Sequence, residues 1–171
     1  MSDNPSLRKK SAKISKVDKK IKKLVKDMKE TLLAQKDPMG IGLAASQIGK
    51  NLRVFIMKTN GDKLLTVINP KIISKSKQAG ESIKGEILEG CLSIPHLYGP
   101  LKRAEKIKLE YLDENGETKK QGFEGLEAQI IQHEIDHLDG TLFVDKLLKA
   151  KKPLYKQNDH GEWDEVDFGN I

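Results

Sequence analysis

The stretch Gln132-His133-Glu134-Ile135-Asp136-His137 contains two histidines whose spacing suits metal binding. On a helix, residues four apart lie one above the other, so His133 and His137 can present both imidazoles to one metal ion. Glu134 then lies beside the ion without binding it, where the glutamate of an HExxH site exchanges protons with a bound water. A catalytic site needs a third protein ligand and an open position, and the chain's only cysteine, Cys91, is the best candidate.

Each of these residues also has an ordinary structural explanation. HExxH fixes only three positions, so it also occurs by chance on amphipathic helices. A free cysteine is usually a small buried apolar side chain. A thiol hydrolase, with Cys91 as a nucleophile activated by His133 or His137, would use the same cysteine, but it leaves the glutamate and the helical spacing unexplained. Metal binding therefore needs support from the surrounding sequence.

Three segments supply that support through a resemblance. They are Gly40-Ile41-Gly42-Leu43-Ala44-Ala45-Ser46-Gln47, Glu89-Gly90-Cys91-Leu92-Ser93 and Gln132-His133-Glu134-Ile135-Asp136-His137-Leu138. In order and separation they resemble the three motifs of peptide deformylases, and the match extends from about residue 7 to about residue 147. The chain, residues 1–171, is then expected to be a single deformylase-like catalytic domain. Leu97 and Tyr98 stand where many bacterial members have an arginine.

The resemblance implies hydrolytic removal of the formyl group from the N-terminal formyl-methionine of newly made polypeptides, with release of formate. One divalent ion at the three candidate ligands is expected to be Fe²⁺ in cells, with Zn²⁺, Ni²⁺ or Co²⁺ as substitutes. Glu134 would act as base and then as acid, while the Gln47 side chain and the Leu92 backbone N–H stabilise charge on the formyl oxygen. Glu89 and Arg103 are expected to form an ion pair, the alternative being a solvated arginine. A metal-stabilised peptide-binding module or an inactive paralogue is the alternative function.

The resemblance also implies a substrate-binding recess beside the metal. Ile87, Leu126 and Ile130 are expected to form an apolar site for the methionine side chain, although plain core packing suits each of them equally. The substrate backbone is expected to add as a strand alongside Ile41-Gly42 and Gly90. Main-chain hydrogen bonds of this kind would tolerate varied residues after the methionine.

The composition of the chain limits which class of protein it can be and in which compartment it is expected. The chain has 171 residues, enough for one domain with a hydrophobic core, and a formal net charge of +6. One cysteine cannot form an intramolecular disulfide, and no apolar run approaches the roughly 20 residues of a membrane span. A cytoplasmic protein without membrane contact is therefore expected.

Residues 15–35 carry the pattern of a lysine-rich amphipathic helix, which follows an N-terminal segment at residues 1–14. Apolar residues recur at three- and four-residue spacing, and lysines fill the other side. Ser15 and Asp18 fit a capping box at its start. The lysine face is expected to be solvated, with transient contact to ribosomal RNA and an organelle-targeting presequence as alternatives. Aromatic residues do not interleave the lysines, which argues against base stacking, and no DNA partner is expected.

The remaining pattern predicts strands around one further helix. Residues 52–57 and 64–68 are typical of a hairpin through Asn60-Gly61, and residues 107–112 and 118–123 of a hairpin through Asn115-Gly116. The helix with the two histidines is expected to start near Gly125, and a C-terminal extension at residues 148–171 is expected to form a hairpin with an acidic second strand. This inventory is α+β. The resemblance implies that mixed and antiparallel β-sheets pack around the central metal-binding helix.

Overall fold

The computed structural model describes residues 4–61, 63–77, 88–158 and 162–170. Within these ranges the α-helices are α1 (Lys19–Ala34), α2 (Gly125–Leu138) and α3 (Phe143–Ala150). The strands there are β1 (Gly42–Ala44), β2 (Val54–Lys58), β3 (Leu64–Lys75), β4 (Leu88–Cys91), β5 (Ile94–Pro100), β6 (Lys106–Leu112), β7 (Thr118–Glu124), β8 (Leu154–Gln157) and β9 (Trp163–Val166). Of the helices described, none is long and apolar enough to cross a membrane.

The strands form two sheets in which every described strand pair is antiparallel. The larger sheet has the order β1-β2-β3-β6-β7, and the smaller has the order β4-β5-β8-β9. The expected α+β fold with antiparallel sheets is confirmed, and so are the hairpins β2–β3 and β6–β7. Strand β3 continues beyond the expected end at residue 68 as far as Lys75, because its second half pairs with β6.

The larger sheet lies between two helices. Side chains alternate between the two faces of a strand, so neighbouring residues of β2 enter different parts of the core. Phe55 packs in the cluster that contains Ile131 of α2, whereas Ile56 packs in the cluster that contains Met28 of α1. Helix α2 is therefore covered by the sheet along one side, which gives its histidines a buried setting.

Helix α1 is present but shorter than residues 15–35, and the prediction that Ser15 begins it is wrong. Asp18 is the N-cap, since its side chain accepts hydrogen bonds from the backbone N–H groups of Lys20 and Ile21. The chain before it is held extended, because the Ile14 N–H donates to the Asn69 side chain at 2.9 Å and the Ile14 carbonyl accepts from the same side chain at 2.7 Å. The first helical residue is Lys19, so residues 15–18 lie outside the helix.

The expected C-terminal hairpin is present as β8 and β9, which extend the smaller sheet. The sequence pattern does not predict α3, and the expected boundary at residue 148 falls inside it, so the extension starts after Ala150. Helix α3 docks through buried Phe143 and Leu147. Gly99 of β5 makes room for it, since a Cβ at this glycine would overlap the Leu147 side chain. The helix thus links α2 to the smaller sheet.

Candidate metal centre

His133 and His137 lie one turn apart on the buried face of α2. Their Nε2 atoms are 3.2 Å apart, and their rings meet nearly edge to face with centroids 4.8 Å apart. Phe143 of α3 lies against the ring of His133, with centroids 6.3 Å apart. The helix therefore presents two imidazole nitrogens to one point, in a setting that both α3 and the larger sheet help to bury.

Cys91, the last residue of β4, brings a sulfur atom to the same point. Its Sγ lies 3.1 Å from Nε2 of His137, and the ligand atoms of the cysteine and both histidines all lie within 4.8 Å of one another. Iron, zinc, cobalt and nickel all accept imidazole nitrogen and thiolate sulfur as ligands. The structure thus brings together the residues that the sequence predicts as metal ligands, and their donor atoms fit one divalent ion.

Glu89 holds the His133 ring in one orientation. Its Oε1 lies 2.8 Å from Nδ1 of His133, and Arg103 donates from Nε to the other carboxylate oxygen at 2.9 Å, so the expected ion pair is present. Arg103 also donates to Asp136 of α2 at 2.6 Å. Burial raises the pKa of Glu89, but the hydrogen bonds from His133 and Arg103 outweigh it and hold the pKa at about 2. A carboxylate on Nδ1 fixes the tautomer that leaves Nε2 to a metal.

The surroundings of Cys91 favour its thiolate. Burial raises the pKa of the thiol, but the charges and hydrogen bonds of His137 and His133 outweigh burial and bring the pKa well below its usual range. The backbone N–H of Ser93 donates to Sγ at 3.4 Å. Since the thiolate is the metal-binding form of cysteine, these contacts prepare the sulfur to act as a ligand.

Glu134 is buried beside the three candidate ligands. Its Oε2 has no hydrogen-bond partner among the residues that the structure describes. Burial raises the pKa of this carboxyl group to about 7. Gly42 of β1 lies directly against it, since a Cβ there would overlap Oε1 of Glu134. A carboxyl group with a pKa near neutrality can both accept and return a proton, so the placement suits the predicted role.

Gln47 lies in a short 3-10 helix, Ala45–Ile48, that follows β1. Its Oε1 accepts a hydrogen bond from the backbone N–H of Ala44 at 2.7 Å, which fixes the direction of the side chain. Its Nε2 then points toward the smaller sheet, where it donates to Ser93 Oγ at 3.1 Å and lies 3.7 Å from Cys91 Sγ. Leu92 follows Cys91 and lines the same cavity. Both residues lie close enough to the candidate ligands for the roles predicted for them.

A cavity of about 190 Å³ opens beside the candidate ligands. Five of the predicted substrate-binding residues line it, namely Ile41, Gly42, Gly90, Leu126 and Ile130. The sixth, Ile87, lies outside the described residues. Leu126 is 49% exposed and Ile41 is 43% exposed, whereas Ile130 is buried. The cavity therefore has a closed apolar floor and an apolar rim that faces solvent.

Sequence reasoning did not assign to this cavity several other residues that line it, including Met39, His96, Tyr98 and Gln129. Gln129 stands four residues before His133, a spacing that could have placed it on the same helix face. His96 and Tyr98 lie on β5, and their place at the cavity depends on the register in which β5 pairs with β4. The sequence pattern does not specify that register.

A buried cysteine and two histidines lie beside a glutamate whose Oε2 has no partner among the described residues, an arrangement typical of a metal-dependent hydrolase. A model of the polypeptide deformylase family matches residues 1–153. The peptide deformylase of Dictyoglomus thermophilum is 42% identical over 146 residues, which cover 85% of this chain and 89% of that protein. Peptide deformylase 2 of Clostridium acetobutylicum is 43% identical, with coverage of 85% and 91%. The crystal structure of the peptide deformylase from Thermus thermophilus has a TM-score of 0.78 and 40% identity, covering 88% of this chain and 85% of that one. The chain therefore belongs to the polypeptide deformylase family.

Proposed function

We propose that Cys91, His133 and His137 hold one divalent metal ion, at which the chain removes the N-formyl group from the formyl-methionine of new polypeptides. The family membership gives the reaction, a metal-dependent hydrolysis that releases formate. The single observation that carries the site is the convergence of three ligand atoms within 4.8 Å next to Glu134, whose Oε2 has no partner among the described residues. That combination supplies both a metal site and a base.

Glu134 carries the proton in this mechanism. A divalent ion bound at the three ligands would acidify a coordinated water and polarise the formyl oxygen. Glu134 accepts the proton that the attacking water loses, and it gives that proton to the amide nitrogen when the carbon–nitrogen bond breaks. The pKa of about 7 suits both steps, because the carboxyl group is then neither a strong acid nor a permanently protonated one.

Gln47 and the backbone N–H of Leu92 stabilise the negative charge that develops on the formyl oxygen. The Gln47 amide has its oxygen bound to the N–H of Ala44, so its Nε2 is directed at the ligand side of the cavity. A donor that is already oriented costs no reorganisation when the charge appears. Both groups therefore act in the transition state.

The rim and floor of the cavity receive the methionine side chain and the peptide that follows it. Leu126 and Ile130 lie on the α2 face that also carries His133, and Ile41 lies across from them beside β1. The peptide backbone adds as a strand alongside Ile41-Gly42 and Gly90, which is why two glycines suit these positions. Recognition then depends on methionine and on main-chain groups.

Fe²⁺ is the proposed ion in cells, and Zn²⁺, Ni²⁺ or Co²⁺ can replace it, since this donor set accepts several first-row ions. A thiolate ligand to iron is open to oxidation, which removes its ligand character. Metal analysis of protein purified without oxygen should find one iron per chain, and exposure to air should lower activity more for the iron form than for the zinc form.

The lysine face of α1 is proposed to make transient contact with ribosomal RNA, and the chain is proposed to act in the cytoplasm. Lys19, Lys20 and Lys22 are exposed and form no salt bridge within the described residues. Contacts with phosphates weaken steeply as salt rises. Cosedimentation with ribosomes at increasing salt should show binding that is lost when these three lysines become glutamate. Charge reversal at three exposed lysines elsewhere, Lys108, Lys149 and Lys151, is the matched control and should leave binding intact.

Formate release tests the central proposal. Protein purified without oxygen is mixed with formyl-Met-Ala-Ser, alongside chelator-treated protein and chelator-treated protein reloaded with metal. We expect rapid release that the chelator abolishes and metal restores. Activity that survives complete metal removal would instead support a thiol hydrolase based on Cys91. Stoichiometric bound metal without any release would support the alternative of a peptide-binding module or an inactive paralogue.

A further inference from the structure

The C-terminal hairpin brings an aromatic side chain to the wall of the catalytic cavity. The family model ends at residue 153, and β8 begins at Leu154, so the hairpin lies just beyond the matched region. In the smaller sheet, cross-strand neighbours run from Gly90 through Tyr98 and Tyr155 to Glu165. Residues directly opposite one another on paired strands share one face of the sheet, so this row faces a single side.

Tyr98 closes over the cavity at Gly90. A Cβ on Gly90 would lie 2.6 Å from ring atoms of Tyr98, so the ring occupies the space directly above the glycine. Tyr98 also lines the cavity together with Cys91 and Glu134. The tyrosine ring is therefore part of the wall at the place where the substrate backbone is proposed to pair.

Trp163 packs against the ring of Tyr98. It stands two residues before Glu165 on β9 and so projects from the same face as Tyr98. The two rings meet edge to face, with centroids 5.2 Å apart and planes at 76°. Leu154 and Val166 project from the other face, into the core cluster that contains Cys91. One face of the hairpin is thus anchored in the core, and the other face holds Trp163 against the cavity wall.

We propose that Tyr98 contacts the residues that follow formyl-methionine in the substrate, and that Trp163 is a positioning residue that holds Tyr98 in place. This inference rests on the proposed function. Trp163 is 45% exposed, so core packing alone does not explain its position. The methionine recess lies on the α2 side of the cavity, whereas Tyr98 lies on the β5 side at Gly90. The aromatic pair should therefore affect binding of the longer peptide and not of formyl-methionine alone.

Steady-state kinetics with two substrates test the inference. For Trp163→Ala we expect a KM about three- to tenfold higher with formyl-Met-Ala-Ser, the factor that corresponds to one aromatic pair, and an unchanged kcat. The KM for formyl-methionine amide should not change. Trp163→Phe should restore most of the loss, because a phenyl ring keeps the edge-to-face contact. Leu148→Ala, which removes an exposed apolar side chain of α3, is the control and should behave as the unmodified protein.

A double variant distinguishes a role of Trp163 in positioning Tyr98 from a general effect of Trp163 on the protein. If Trp163 acts through Tyr98, adding Trp163→Ala to Tyr98→Ala should not raise KM further. Effects that multiply, or an equal change in KM for both substrates, would overturn the inference. Circular dichroism and thermal unfolding of each variant show whether the hairpin substitutions leave the fold intact.

Fluorescence gives a second readout without turnover, because Trp163 is the chain's only tryptophan. The Glu134→Gln variant, titrated with formyl-Met-Ala-Ser, should change its emission in step with binding measured by calorimetry. Tyr98→Ala in the same background should abolish the emission change. Binding without an emission change would overturn this inference and leave the deformylase proposal standing. If the unmodified, metal-loaded protein releases no formate and binds no peptide, both proposals fail together.

Discussion

Glu89 accepts a hydrogen bond from His133 Nδ1 at 2.8 Å, whereas Nδ1 of His137 has no partner among the described residues. The two histidines of one motif are therefore held in different ways. His133 is fixed by a carboxylate that Arg103 also holds, and Arg103 in turn binds Asp136 one position before His137. The orientation of α2 and the charge behind the candidate metal site thus depend on the same buried network.

Replacing Glu89 with glutamine should weaken metal binding. The substitution removes the negative charge that orients His133 and neutralises Arg103, and loss of such an outer partner typically costs about 10- to 100-fold in metal affinity. Competition with a chromophoric chelator measures the affinity directly. Glu110→Gln, which breaks a salt bridge to Lys120 between β6 and β7, is the control and should bind metal normally. Equal affinity of the Glu89 and Glu110 variants would show that the network has only a structural role.

Glu134→Gln should keep the metal but lose the reaction. The amide has the size of the carboxyl group, yet it cannot carry a proton, and the loss of general acid–base catalysis typically lowers the rate about 10²- to 10⁴-fold. Formate release and metal content measured on the same sample check this. Glu127→Gln, in the first turn of the same helix, should retain both. A Glu134 variant that loses its metal would contradict the assignment of Glu134 as a residue that does not bind the ion.

Gly42→Ala should inactivate the enzyme without unfolding it. The added methyl group would overlap Oε1 of Glu134, so either the base or strand β1 must move. Gly122→Ala on β7 is a matched control, because a Cβ there meets no atom within 4 Å. Formate release and circular dichroism distinguish the two variants. Full activity of Gly42→Ala would mean that the position of Glu134 is not critical.

Gln47 can be tested with two substitutions that separate its two hydrogen-bonding groups. Gln47→Ala removes both and should lower kcat roughly a hundredfold, the usual cost of one lost donor to a developing charge. Gln47→Glu keeps an oxygen for the Ala44 N–H but removes the amide donor near Cys91. If the donor matters, the glutamate variant should be as slow as the alanine variant. Recovery of activity with glutamate would show that Gln47 acts only by fixing the loop.

The sequence predicted which side chains meet at the candidate metal site better than it predicted the lining of the cavity. His133, Glu134 and His137 follow from helical periodicity, which is a local property, and the antiparallel hairpins follow from strand patterns joined by Asn-Gly turns. Cys91 comes from a distant strand, and its place near the histidines was expected from its residue type and the resemblance. Tyr98 and Trp163 meet only because β5, β8 and β9 pair in one register, which the local pattern does not specify.

The start of α1 shows why boundaries were harder to predict than elements. Ser15 and Asp18 both suit an N-cap by residue type. In the structure Asp18 caps the helix, and the preceding Ile14 is fixed by Asn69 of β3, a long-range contact that residue type does not reveal. Helix α3 was missed for a related reason, since its eight residues acquire their stability by packing against Gly99 of a strand and not from a long periodic pattern.

The three candidate ligands come from different halves of the molecule. Cys91 belongs to the smaller sheet and the histidines to the helix packed on the larger one, and no described strand of one sheet pairs with a strand of the other. An ion bound by all three therefore also acts as a cross-link between these halves. Oxidation of the Cys91 ligand would therefore remove the reaction and this link together, and it should make the molecule easier for proteases to open.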